Sequence, residues 1–385
     1  MKKQFLFMSL AAAAMLSSCS TDEEAGPAAY APHPQGDSEV AIRLASGPVT
    51  RVSIESDEDG LFEVDGLGLF ALAREVVADN PDAVLPIAWN YEPADTKTYS
   101  VLLDNVEANA VIEGGVTNIL FADGVVRYYP MANWYRYGFC GYYPRTENIT
   151  KEATRCVANI TISGKEDVIY GRAVNDVDDY AYSARYFRQE GNVNVVPQMQ
   201  FDHKLMRVTF SAVPGPDLEA GASYENAKQM TVQSVRVMGV PTEGQLVLAD
   251  LENPEQDGQL IFSWDGGGSD LYLCDSIDAV LDPEKYFMEV TEEGEPVEKV
   301  IGQGIMLPVP EDGYKYRVAV TLQDSQGTVY ECEYPQELRL PEGTQFEAGK
   351  SYNVRMTING PKAVTLSAKL TQWDSDTEDL EGIVF

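Results

Sequence analysis

Ser351-Tyr352-Asn353-Val354-Arg355-Met356-Thr357-Ile358 alternates without a break: Tyr352, Val354, Met356 and Ile358 are apolar, and Asn353, Arg355 and Thr357 are polar. Six residues on, Val364, Leu366, Ala368 and Leu370 alternate with Thr365, Ser367 and Lys369. A period of two puts one face of a strand on a core and the other in water, which marks antiparallel sheets. The pattern recurs upstream. Val208, Phe210 and Ala212 alternate with Arg207, Thr209 and Ser211, and Tyr316, Val318, Val320 and Leu322 alternate with Arg317 and Thr321. Further strands are expected at residues 39–45, 68–73, 100–103, 124–128, 157–162, 234–239, 245–249, 259–263 and 326–334. Turn formers such as Asp123-Gly124, Asp257-Gly258 and Asp312-Gly313 separate many of them. Helical signal is confined to a turn or two within residues 176–187 and 224–230. No long helices alternate with the strands, so an all-β sandwich architecture is expected rather than βαβ units.

A chain of 385 residues suggests two domains, and 44% hydrophobic content is enough to fill their cores. Pro214-Gly215-Pro216 ends an alternating strand, so the boundary is placed near residue 213. This divides the chain into 1–18, 19–38, 39–213 and 214–385. Residues 1–18 read as a signal peptide: Lys2 and Lys3 precede an apolar run too short to span a membrane, which ends in Leu16-Ser17-Ser18-Cys19. That ending resembles a bacterial lipobox, in which Cys19 carries the lipid. Asp22-Glu23-Glu24 and a Pro/Ala/Gly-rich stretch follow, read as a tether. The acidic cluster resembles a surface-export signal of Bacteroidetes lipoproteins.

The formal net charge of −33 opposes binding to phosphate backbones, so no nucleic-acid partner is expected. Metal, cofactor and catalytic constellations are not expected either. Cys140, Cys156, Cys274 and Cys332 show no Cys-x-x-Cys spacing, and their pairing is not given by the sequence. Of the two histidines, His33 lies in the tether. His203 lies at a strand start without a nucleophile elbow, and a structural role is expected for it. Asp57-Glu58-Asp59-Gly60 lacks the spacing of a calcium loop. Aromatic residues crowd between Tyr128 and Tyr143, where packing in a core competes with exposure to a ligand. Asn148-Ile149-Thr150 and Asn159-Ile160-Thr161 match N-glycan acceptor triplets, and Asp275-Ser276-Ile277 resembles an O-glycosylation triplet.

The order of motifs resembles the fimbrillin family, the subunits of type V pili in Gram-negative anaerobes. The residues that carry the likeness are the lipobox, the strand at 39–45 and Val49-Thr50-Arg51, then Tyr142-Tyr143-Pro144-Arg145 and Phe201-Asp202-His203-Lys204-Leu205. Phe346-Glu347-Ala348-Gly349-Lys350-Ser351-Tyr352 and Lys369-Leu370-Thr371-Gln372-Trp373 complete it. The resemblance implies two tandem transthyretin-like β-sandwich domains with few short helices. It also implies a surface location in a fimbrium, outer-membrane anchorage before processing, and no enzymatic activity. An Arg-specific protease would remove the leading strand, and a strand of another pilus subunit would fill the groove. In this chain the removable strand would be Val40, Ile42 and Leu44. Arg51 is the expected cleavage site, with Arg43 as the alternative. The apolar end Ile383-Val384-Phe385 either donates to a neighbour or closes the last sheet. A host or bacterial surface ligand would complete the adhesive role. The alternative is a monomeric surface lipoprotein that binds glycan or host protein.

Overall fold

The computed structural model describes residues 39–46, 61–77, 83, 85–90, 100–131, 134–174, 182–216, 224–262, 268–272, 288–308, 315–331, 336–338, 340, 345–360 and 363–371. The chain is all-β, as its alternation predicts. In the first half the strands are β1 (Leu44–Ser46), β2 (Val64–Val76), β3 (Val101–Glu113), β4 (Val116–Phe121), β5 (Tyr135–Tyr143), β6 (Ile149–Lys151), β7 (Arg155–Thr161), β8 (Ile169–Val174) and β9 (Gln198–His203). Then come β10 (Met206–Pro214), β11 (Met230–Val240), β12 (Glu243–Asp250), β13 (Leu260–Phe262), β14 (Ser269–Tyr272) and β15 (Lys299–Met306). The last are β16 (Arg317–Asp324), β17 (Val329–Glu331), β18 (Gln336–Glu337), β19 (Ser351–Gly360) and β20 (Ala363–Thr371). Helix is limited to α1 (Ala184–Phe187) and 3-10 turns at Ala227–Gln229 and Pro254–Gln256 among the described residues.

The strands form four sheets. The first closes on itself in the order β1-β4-β3-β2-β5-β8-β9. The second runs β15-β10-β19-β20, and the third β14-β11-β16-β17 with β18 also on β16. The fourth is β13-β12-β7-β6. In the second sheet the parallel register sets Val208 beside Tyr352, Phe210 beside Val354 and Ala212 beside Met356. Residues paired across adjacent strands share a face, so the apolar rows of the two strands merge. That face packs on Val232, Val235, Val237, Val318, Val320 and Leu322 of the third sheet to make a sandwich core.

A second core fills the closed sheet, from Leu67, Leu69 and Ala71 of β2 to Phe139 of β5 and Phe201 of β9. A third lies between the fourth sheet and the other side of β2 and β5, and includes Phe70, Leu72, Cys140, Tyr142, Ile160 and Leu246. Because β2 and β5 serve two cores, they are buried on both faces and show no alternation.

Strand pairing crosses the position expected to divide the chain. Both partners of β10, which ends at Pro214, lie after residue 213. β12, from after it, pairs with β7, from before it, with Gln245 opposite Asn159 and Val247 opposite Val157. The closed first sheet is likewise an addition to the expected sandwiches. The strand expected at 124–128 is a turn and loop that leaves Val125 and Val126 exposed, with only an isolated bridge at Tyr128.

An ion pair ties the hairpin of β12 and β13 to the closed sheet. Arg74 of β2 donates to Asp257 Oδ2 at 2.7 Å and to the Asp250 carbonyl at 3.1 Å, and its guanidinium lies 5.2 Å from the Trp89 ring centroid. The backbone N–H of Asp250 donates to Asp257 Oδ1 at 2.7 Å. Burial pushes the Asp257 carboxyl above the usual carboxylate range, against the opposing pull of Arg74.

Cys140 and Cys156 are buried free thiols in the third core. Burial raises the Cys140 thiol pKa well above its ordinary range and pushes that of Cys156 up to about 12. A thiol without thiolate character is a poor nucleophile. Iodoacetamide treatment of the native protein followed by peptide mapping should therefore leave both unmodified, and treatment in denaturant should label both.

Candidate functional site

The leading segment lies within the wall of the closed sheet. Val40, Ile42 and Leu44 are buried in its core, as alternation along residues 39–45 predicts, and Arg43 stands between two of them. Burying three such side chains contributes on the order of 5–8 kcal/mol at about 1.5–3 kcal/mol each. The regular strand is shorter than expected. β1 covers only Leu44–Ser46, with an isolated bridge between Ala41 and Tyr128 ahead of it.

The segment is bonded on both sides. On one side Leu44, Ala45 and Ser46 oppose Ile119, Asn118 and Thr117 of β4 in antiparallel register. On the other, Ala45 and Ser46 run parallel to Gln198 and Met199 of β9. The Ala45 N–H donates to the Pro197 carbonyl at 3.1 Å, and Ser46 Oγ donates to the Met199 carbonyl at 3.1 Å. Ahead of β1 the partner is the loop after β4: the Ile42 N–H donates to the Arg127 carbonyl at 2.8 Å, and the Tyr129 N–H donates to the Val40 carbonyl at 2.9 Å.

That loop is braced from within. Arg127 donates to both carboxylate oxygens of Asp123, at 3.0 and 2.7 Å, and its guanidinium lies 4.5 Å from the Phe121 ring centroid. The hydrogen bond from Arg127 holds the Asp123 carboxyl down at about 2.

β1 is thus the closing stave of the sheet and the one with the shortest ladder to its neighbours. β2 and β3, by contrast, are thirteen residues each and pair along most of that length. Withdrawing β1 would leave two unpaired edges, on β4 and β9, facing each other across an apolar slot.

The other residues singled out from sequence fall elsewhere. Cys19, Arg51 and Ile383-Val384-Phe385 lie outside the described residues, as do His33, Asp57, Asp275, Cys274 and Cys332. His203 ends β9 and is buried, its Nδ1 2.5 Å from Asp167 Oδ2, which fits a structural histidine. The aromatic crowd is mostly core: Tyr135, Tyr137, Phe139 and Tyr142 are buried, with edge-on contacts such as Tyr129–Phe139 and Tyr135–Tyr137. Tyr128 is the exposed exception. No cluster of three or more metal-ligating side chains occurs among the described residues, and no helix among them is long and apolar enough to cross a membrane.

The family model described as fimbrillin-like matches residues 50–373. No curated protein matches. Among solved structures, a Bacteroides uniformis protein assigned to cell adhesion is similar at 16% identity and TM-score 0.46, covering 87% of this chain and 99% of its own. The fimbrial anchor protein Mfa2 of Porphyromonas gingivalis is similar at 9% identity and TM-score 0.35, covering 87% and 97%. A fimbrilin, FimA, of Porphyromonas gingivalis is similar at 8% identity and TM-score 0.36, covering 86% and 97%. The match to the family model spans most of the chain, and the protein belongs to the fimbrillin-like family.

Proposed function

We propose that this chain is a structural subunit of an adhesive cell-surface pilus, assembled when its leading segment is cut away and replaced by a strand of another subunit. The observation that carries the reading is the place of residues 40–46: Val40, Ile42 and Leu44 are buried in the core, yet only residues 44–46 join β4 and β9, by short ladders at the closure of the sheet. A strand entering that slot would recover the apolar burial and the backbone bonds to both edges, which is β-augmentation with two edges rather than one.

The precursor is exported as a lipoprotein, held at the outer membrane through Cys19. An Arg-specific protease cuts after Arg51, or after Arg43. Other pilus subunits are the partners, and the terminal Ile383-Val384-Phe385 either donates the incoming strand or closes the last sheet. A host or bacterial surface ligand is the adhesive target.

Electron microscopy of the purified protein before and after mild trypsin treatment tests the scheme. Fibres should form only after cleavage, and N-terminal sequencing should begin at Val52. Cleaved protein that stays monomeric, or fibres that retain the lipidated N-terminus, would refute it. Deleting residues 382–385 should leave stable monomers that fail to polymerise if that end is the donor.

A further inference from the structure

The two Asn-x-Thr triplets fold against each other. β6 and β7 form an antiparallel hairpin that sets Ile149 opposite Ala158 and Thr150 opposite Val157, which brings Asn148 beside Asn159. Asn159 Nδ2 donates to Asn148 Oδ1 at 3.0 Å and to the Asn148 carbonyl at 3.1 Å. Asn159 Oδ1 in turn accepts from Gln245 Nε2 of β12 at 3.2 Å. Gln245 stands opposite Ile261 of β13, whose side chain is 42% exposed. A row of three amides ending in an aliphatic side chain therefore crosses the outer face of the fourth sheet, from Asn148 just ahead of β6 through one residue each of β7, β12 and β13, at about 4.8 Å between strands.

This row forms one wall of a cleft of about 580 Å³, whose opposite wall includes Thr161 and Glu243, themselves paired across β7 and β12. Between the walls runs the row of Ile160, Gly244 and Phe262. Ile160 and Phe262 pack into the third core, so by the pleat the floor of the cleft is peptide backbone. Gly244 is needed there: a Cβ would sit 2.7 Å from the Phe262 ring. Among its lining residues the cleft has one carboxylate, Glu243, and no Lys or Arg, on a chain of net charge −33.

The chemistry selects the ligand. The floor's N–H and C=O groups between β7, β12 and β13 are committed to those ladders, so an extended peptide lying in the cleft would find main-chain partners only along the outer edge of β13. What the walls offer are side-chain amides that donate and accept, a hydroxyl, one carboxylate and one apolar side chain. Vicinal hydroxyls, each both donor and acceptor, match this set, whereas anionic ligands meet no cation. We infer that the cleft over β7, β12 and β13 is a binding site for a neutral oligosaccharide. The site lies apart from the leading segment and is complete in the uncleaved monomer, so it does not depend on polymerisation.

The test uses the full chain before any protease treatment, probed by calorimetry with cellobiose, maltose, mannobiose, chitobiose and N-acetyllactosamine. At least one neutral series should bind, with a dissociation constant on the order of 0.1–1 mM for so open a site. Asn159→Ala should weaken that binding by about tenfold or more, because it removes the amide that holds Asn148 and Gln245 in position in the wall. Glu243→Gln, which keeps the shape of the wall, provides the same readout with minimal risk to folding and should also weaken it. The inference is overturned if none of the five probes binds, if binding is undiminished in both variants, or if an extended peptide competes the sugar from the cleft.

Discussion

Asp257→Ala should destabilise the protein by about 3–5 kcal/mol, because it leaves the Arg74 guanidinium buried without its carboxylate. The two side chains are 6% and 2% exposed, so water cannot take over the lost interaction. The loss should be greatest where the hairpin of β12 and β13 meets the closed sheet. The elevated pKa of Asp257 adds a second expectation. Its desolvation outweighs the pull of Arg74, so the ion pair is not itself a large source of stability. Replacing both partners with apolar residues, Arg74→Met with Asp257→Leu, should return most of what the single change removes. The sign of the pH dependence follows. A carboxyl whose folded pKa lies above its unfolded value contributes stability that is full in strong acid and shrinks as pH rises through the folded pKa. Chemical denaturation of the wild type, both single variants and the double variant measures all of this, and a double variant as weak as Asp257→Ala would contradict the account.

Leu44→Asp should expel the leading segment from the closed sheet. Truncating a buried leucine alone costs about 2–5 kcal/mol, and a carboxylate with no partner in an apolar core adds to that. Hydrogen exchange should show where the damage falls. Ala45 and Tyr129, whose N–H groups donate to Pro197 and Val40, should lose protection first, along with the facing edge of β4. The sandwich of the second and third sheets shares no residue with that core and should keep its protection. A synthetic peptide of residues 39–46, added to protein truncated before residue 52, should restore protection at Tyr129. If it does not, the segment is not an exchangeable stave.

The strands that were legible in sequence are those with one wet face. β10, β16 and β19 lie near where alternation puts them, because Val208, Val318 and Tyr352 enter the core while residues such as Arg207, Arg317 and Asn353 stay less buried, and β20 pairs with β19 where its own alternation places it. β5 escaped for the opposite reason: Phe139 faces one core and Cys140 the next, so no period of two survives. Val125 and Val126 misled because β-branched residues favour strands, whereas the Asp123–Arg127 brace holds them in a loop. In the candidate site the burial of Val40, Ile42 and Leu44 was readable, but not their partners. Which edges flank a strand is set by residues far away along the chain. The amide row was hidden for the same reason. The two triplets were visible, but only the register of a hairpin joined by Gln245 makes them one wall.

The pairing of β7 with β12 and of β10 with β19 also constrains the order in which the polypeptide can mature. Asn159 meets Gln245 across a sequence separation of 86 residues, and Arg207 meets Ser351 across 144. As the chain folds, the early edges wait bare until their distant mates are in place, and pairings so remote in sequence form slowly. Circular permutants opened between β7 and β12 lengthen the separation of Asn159 from Gln245 further and should refold more slowly than the native order.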